Sequence, residues 1–143
     1  MSIKKYVSDT TTILRQPAAD WETAVRQAGS LLERAGTIVP AYTEAMVKMI
    51  KELGPYIVVM PGVALAHARP EKNVKQNSIA IVIYEDGICF GNESNDPVHV
   101  VFAIAACTDD EHLDLFQAVA EFISGEGNME RLQKAAVYGD IGF

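Results

Sequence analysis

His67, His99 and His112 are the only histidines in the 143-residue chain, and they are the side chains best suited to chemistry near neutral pH. An imidazole with an ordinary pKa of about 6.5 acts as a nucleophile, an acid–base group or a metal ligand, according to its surroundings. His67 lies in PGVALAHARPE, Pro61 to Glu71, a stretch that opens on Pro-Gly and closes on Pro-Glu, with Arg69 two residues on. Its neighbours Val63, Ala64, Leu65, Ala66 and Ala68 are short and apolar, and leave the ring accessible to a partner. His112 follows Thr108, Asp109 and Asp110, where a helix is expected to start. The first turn of a helix offers free N–H groups and the positive end of the dipole to an anion. His99 opens the most apolar segment and reads as a core or strand-end histidine with its hydrogen bond satisfied. On position alone, His67 and His112 each admit a functional and a structural reading.

Phosphoryl transfer asks for little beyond an in-line nucleophile and cationic or N–H donors around the equatorial oxygens. His67, Arg69 and a helix start carrying His112 would supply those parts. A zinc site needs three or four ligands. The histidines and a cysteine could be offered, but without ligand-pair spacing, so neither a metal nor a cofactor is expected. The chain contains no GxSxG elbow, Walker loop or GxGxxG.

Several elements must position these residues. Asp20 offers an N-cap, and Trp21, Ala24, Val25, Ala28, Leu31, Leu32 and Ala35 form one helical stripe that Gly36 ends. Pro40 suits the first turn of a second helix with Tyr42, Ala45, Met46, Met49, Ile50 and Leu53 on its apolar face, stopped by Gly54 and Pro55. Tyr56 to Met60 reads as a short buried strand leading into the His67 stretch. Ser78 to Tyr84 is a β-branched strand, and Glu85-Asp86-Gly87 is turn chemistry with Ile88 to Phe90 as a returning strand. Val98 to Cys107 fits a central strand buried on both faces. The helix after Thr108 is expected to bury Leu113, Phe116, Val119, Ala120 and Ile123, and Met129 to Ala136 to form a short last helix. Residues 1–17 and the tail from Tyr138 to Phe143 carry little pattern. The alternation predicts an α/β fold: a single-domain layered sandwich, residues 1–143, with a mixed β-sheet flanked by helices.

Composition narrows the partners. Apolar residues make up 49% and charged ones 22%, with a net charge of −7 and a pI near 4.9. An acidic chain lacks the basic face that nucleic acid requires. MSIKKYVSDT has no apolar segment behind its lysines, and no apolar run approaches the about 20 residues of a membrane span, so a cytoplasmic location is expected. Cys89 and Cys107 sit in strand-like apolar contexts without CxxC spacing, and buried free thiols are the expectation.

Two stretches carry a family resemblance. GPYIVVMPGVALAHARPEKNV resembles the active-site signature of the enzyme IIA components of the bacterial sugar phosphotransferase system (PTS), mannitol–fructose type. It is most similar to the ascorbate-like branch, where a GPY…PG.A..H.RPE pattern recurs. NDPVHVVFAIAACTDDEHLDLF resembles the second signature, an NDPV strand leading to an EH pair at the next helix, and the DWETAVRQAG helix and the Tyr42–Ala45–Met46 helix fit the family's opening. The resemblance implies the mannitol/fructose-type enzyme IIA fold. It implies that His67 takes a phosphoryl group on Nε2 from the histidine phosphocarrier protein HPr and passes it to a cysteine of enzyme IIB. The membrane component, enzyme IIC, would be reached only indirectly. His112 would hydrogen-bond the phosphoryl oxygens or orient the nucleophile.

Two departures bear on that reading. The arginine that mannitol-type members carry late in the second helix falls near Met49 here. Arg69 is taken as its substitute, Lys48 pointing to another helix face. Ala66-His67-Ala68 also stands where mannitol- and fructose-type members usually show Pro-His-Gly. A regulatory domain, whose His67 phosphorylation controls a partner protein, is the alternative to a transport phosphocarrier. The resemblance points to ascorbate or another acidic or pentitol-like substrate, with the choice made in the membrane component, and it leaves a homodimer open.

Overall fold

The long apolar run after Pro97 becomes the middle strand of a five-stranded mixed sheet. A computed structural model describes residues 2–70 and 72–143; Glu71, the end of the Pro61–Glu71 stretch, lies outside the described residues. The strands are β1 (Thr12–Ile13), β2 (Val58–Met60), β3 (Val63–His67), β4 (Ser78–Ile88) and β5 (Val98–Ala105). The helices are α1 (Trp21–Arg34), α2 (Pro40–Leu53), α3 (Asp109–Ser124) and α4 (Asn128–Lys134). In the order β1-β4-β5-β3-β2, β5 runs parallel to β3 and antiparallel to β4.

Each face of the sheet has its own core, and the period of two along a strand assigns residues to them. Ala64, Ala66, Ala80, Val82, Val101, Ala103 and Ala105 face α1 and α2. Val63, Leu65, Ile79, Ile81, Val100, Phe102 and Ile104 face α3 and α4. His67 shares the parity of Val63 and Leu65, so the register of β3 aims it at the α3 side.

Local chemistry sets the helix ends. The Asp20 carboxylate accepts the Thr23 N–H at 2.8 Å, and Thr108 Oγ1 accepts the Glu111 N–H at 3.2 Å, each taking up an otherwise orphaned donor. Gly36 and Gly54, past the ends of α1 and α2, have φ of 78° and 87°, a region that residues with a Cβ avoid. A Cβ on Gly29 would collide with the Thr43 side chain, so this glycine lets α1 and α2 approach closely.

The α/β class, both long helices and the central strand stand as the sequence suggests. Other expectations change. Only Val58–Met60 of the Tyr56–Met60 segment is a strand, and it is an edge: β2 pairs with β3 alone, leaving Val59 52% exposed. Ile88 to Phe90 is not a returning strand. β4 runs on to Ile88, which pairs with Val98 across a register shift, and β5 is its hairpin partner. A bulge that takes up extra residues has the same acidic, glycine-containing composition as a turn. The chain beyond is held by the Asp96 carboxylate, which accepts the N–H groups of Phe90, Gly91 and Asn92.

α3 is rotated from its expected phase. Leu115, Ala118, Val119 and Phe122 are buried, Leu113 is 69% exposed, and Ala120 is exposed. Leu53 and Ala35 are also exposed, and Cys89 is an exposed free thiol where a buried one was expected. The last helix is Asn128–Lys134, shorter at its C-terminal end than expected. The two weakly patterned ends are structured as well. β1 lies parallel to β4, and a 3-10 turn at Tyr138–Ile141 buries Ile141 in the α3 core. No helix among the described residues is long and apolar enough to cross a membrane.

Candidate functional site

His67 is the last residue of β3, beside Ile104 of β5, and its half-buried ring lies against α3. Its Nδ1 is 2.8 Å from the Leu65 carbonyl oxygen. A carbonyl can only accept, so in the neutral ring the proton sits on Nδ1 and Nε2 carries the lone pair. Burial pushes the His67 pKa below the ordinary histidine value, with the Leu65 hydrogen bond pulling the other way. The ring is therefore neutral at physiological pH. Nε2 lies 3.4 Å from the Tyr56 hydroxyl, and the two rings meet edge to face with centroids 5.9 Å apart.

The second histidine reaches the same place from the other end of the sequence. His112, in the first turn of α3, has its ring centroid 5.5 Å from that of His67. Phe116, one turn on, stacks on His112 at 4.6 Å and meets His67 edge-on at 4.9 Å. Burial lowers the pKa of His112, the proximity of His67 lowers it further, and Asp109 opposes both. His67, Ala68, Arg69, Pro70, Met49, Asp109, His112 and Leu113 line a cleft of about 360 Å³. His67, His112 and Arg69 are thus brought together. Met49 is the α2 side chain that enters this cleft, whereas Lys48 lines a neighbouring one and lies 3.9 Å from Glu52.

The start of α3 differs from the anion site its sequence suggests. Thr108 already accepts the Glu111 N–H, and Asp109, Asp110 and Glu111 place carboxylates in the first turn. Asn77 ties this turn to the sheet: its Oδ1 accepts the Cys107 N–H at 2.8 Å and its amide donates to Glu111, which also accepts from the Thr108 hydroxyl. The helix N-terminus thus carries three carboxylates of its own, which oppose an anion there, and one of its N–H groups is already taken by Thr108.

Tyr42, an apolar-face residue by its spacing, has a second role. Its buried hydroxyl donates to the Ile104 carbonyl at 2.7 Å and accepts the Ala68 N–H at 3.1 Å, anchoring the residue after His67 to α2. Burial raises its pKa to about 12, so it stays protonated. Tyr56 lies within the GPY signature and Tyr42 in a helix that fits the family's opening, but neither was given a role at the site. The available signal for Tyr42 is that it carries a hydroxyl, and a buried hydroxyl needs a partner. His99 lies at the far end of β5, its Nδ1 2.8 Å from the Tyr84 carbonyl, as a strand-end histidine would. Among the described residues, no group of three or more His, Cys, Asp and Glu side chains is arranged to hold a metal ion.

An α/β domain with helices on both faces of its sheet, presenting a neutral, oriented imidazole beside a second one, is equipped for nucleophilic histidine chemistry. Comparison with known proteins gives that equipment a family. The family described as phosphoenolpyruvate-dependent sugar phosphotransferase system, EIIA 2, matches residues 5–141. An ascorbate-specific PTS system EIIA component of Salmonella choleraesuis is 30% identical over 135 residues, 93% of this chain and 88% of that protein. The crystal structure of a putative PTS IIA from Streptococcus mutans superposes with a TM-score of 0.88 at 25% identity, covering 99% of this chain and 90% of that one. The enzyme IIA of mannitol from Escherichia coli, in complex with phosphorylated enzyme IIB, superposes with a TM-score of 0.83 at 25% identity, covering 94% and 93%. The chain belongs to the EIIA 2 family of the PTS and is a phosphotransferase component.

Proposed function

We propose that this chain accepts a phosphoryl group on Nε2 of His67 from HPr and passes it to a cognate enzyme IIB in the cytoplasm, during uptake of ascorbate or a related sugar. The observation that carries this reading is the 2.8 Å hydrogen bond from Nδ1 to the Leu65 carbonyl. It fixes the tautomer, leaves the lone pair on Nε2 and restrains the ring from rotating away. In the transfer, the lone pair attacks phosphorus in line. The Nε2–P bond forms while the donor's N–P bond breaks, and that electron pair returns to the donor imidazole. The His67 ring gains positive charge as the bond forms, and the Leu65 carbonyl facing Nδ1–H stabilises it.

Arg69 and His112 line the same cleft and are the side chains assigned to the phosphoryl oxygens. Neutral His112 can donate one N–H, and Arg69 brings a permanent charge. The name of the Salmonella relative supports ascorbate as the substrate class, and the complex of the mannitol protein supports an enzyme IIB as the acceptor. Enzyme IIC is served only through that acceptor.

The test is labelling from phosphoenolpyruvate through enzyme I and HPr. The expected product is an acid-labile, base-stable phosphohistidine that a cognate enzyme IIB discharges, and His67→Gln abolishes it. Label that survives in His67→Gln overturns the assignment.

A further inference from the structure

A phosphoryl group arriving at Nε2 brings three charged oxygens, and each needs a donor. Several backbone donors nearby are already committed. The Leu65 N–H is given to the Ile57 carbonyl, the Ala68 N–H to Tyr42, the Glu111 N–H to Thr108 Oγ1 and the His112 N–H to the Thr108 carbonyl. α2 contributes Met49 to the cleft and no cation. The three carboxylates at the start of α3 make donors more necessary.

One side chain outside the cleft wall already touches the reacting atom. Tyr56 follows the Gly54-Pro55 stop of α2, where the chain turns toward β2, and is 44% exposed. Its hydroxyl lies 3.4 Å from Nε2. With the proton on Nδ1, Nε2 can only accept, so the hydroxyl is the donor. At this length the hydrogen bond is weak and easily exchanged. Partial burial raises the Tyr56 pKa, which keeps the proton in place.

We propose that Tyr56 is a further catalytic residue, its hydroxyl donating to Nε2 of free His67 and turning to a non-bridging phosphoryl oxygen as the Nε2–P bond forms. No proton is transferred in this exchange: the O–H trades the nitrogen lone pair for an oxygen one, and the only bonds made and broken are the two N–P bonds. In the free protein the hydroxyl lies along the Nε2 lone pair and gives way to the incoming phosphorus. In the phosphorylated protein it compensates charge that a helix-borne cation does not reach. The inference rests on His67 as the acceptor.

The experiment is Tyr56→Phe in the full chain, assayed with enzyme I and HPr. Phenylalanine keeps the ring against His67 and removes only the hydroxyl. The expected result is a kcat for His67 phosphorylation lower by about tenfold or more, the effect of removing a hydrogen bond to a charged group, with the KM for phosphorylated HPr within about twofold of the parent. The 15N resonance of Nε2 in the free variant moves toward that of an imidazole nitrogen without a hydrogen bond. An unchanged kcat, or a change confined to KM, overturns the proposal, the second by making Tyr56 a docking residue only. His67→Gln separates the two levels. Label surviving there removes the acceptor and Tyr56's role with it, whereas label lost there alongside full-rate transfer by Tyr56→Phe removes the tyrosine alone.

Discussion

Tyr42→Phe tests how the loop after His67 is held. The substitution deletes one oxygen from a side chain that is 1% exposed and leaves no cavity larger than that atom. Two groups lose a partner: the Ile104 carbonyl at 2.7 Å and the N–H of buried Ala68 at 3.1 Å. An orphaned buried donor costs about 1–3 kcal/mol, and a weakened carbonyl less, against which the hydroxyl's own desolvation is recovered. The net expectation is about 2 kcal/mol, within the range of about 1–3. With an unfolding entropy of about 2.1 cal/mol/K per residue, that is a fall in Tm of about 7 °C for a chain of 143 residues. Thermal unfolding followed by circular dichroism reads the stability, and labelling of His67 reads the consequence for the site. Because Ala68 directly follows His67, the proposed acceptor, transfer should slow several-fold. A Tm lowered by less than about 2 °C, with transfer at full rate, would refute the idea that this hydroxyl anchors the loop.

The pH behaviour follows from burial. The pKa values of His67 and His112 are depressed, so between those values and about 6.5 the unfolded chain binds more protons than the folded one. Their contribution to stability is present above about pH 6.5 and is lost as the pH falls through that value toward the depressed ones. An NMR titration of the His67 ring should give a midpoint below 6.5, and a midpoint above it would contradict the burial argument. Arg69→Ala should slow phosphoryl transfer about tenfold or more, and Lys48→Ala should leave it unchanged; the reverse pattern in the kinetics would return the cation to α2. His112→Ala should impair transfer while the circular dichroism spectrum stays native, and full-rate transfer would reduce His112 to packing against Phe116.

Legibility followed the range of the interactions. The caps at Asp20 and Thr108 were readable because donor and acceptor lie three residues apart. β5 was readable because a strand covered on both faces is apolar throughout. The bulge between Ile83 and Ile88 was not, since register depends on the partner strand. Nor was the phase of α3, which has apolar residues on more than one side and is set by how it lies across the sheet. His67, His112 and Arg69 were named from motifs and do share one cleft. The roles of Tyr56 and Tyr42 were not read, because hydroxyl partners 11, 26 and 62 residues away leave no periodic trace.

The edges of the sheet have a bearing on solubility. β1 is two residues long, and β2 is three residues long with a shifted register between Val58 and Met60. An open edge is a template for another chain's strand, and short or irregular edges are a means of denying it. β2 also exposes Val59 along this edge. Apolar surface beside an uninterrupted edge would invite strand-by-strand polymerisation. With the ladder short at one edge and broken at the other, neither edge offers the long regular run of N–H and C=O groups on which a further strand could assemble.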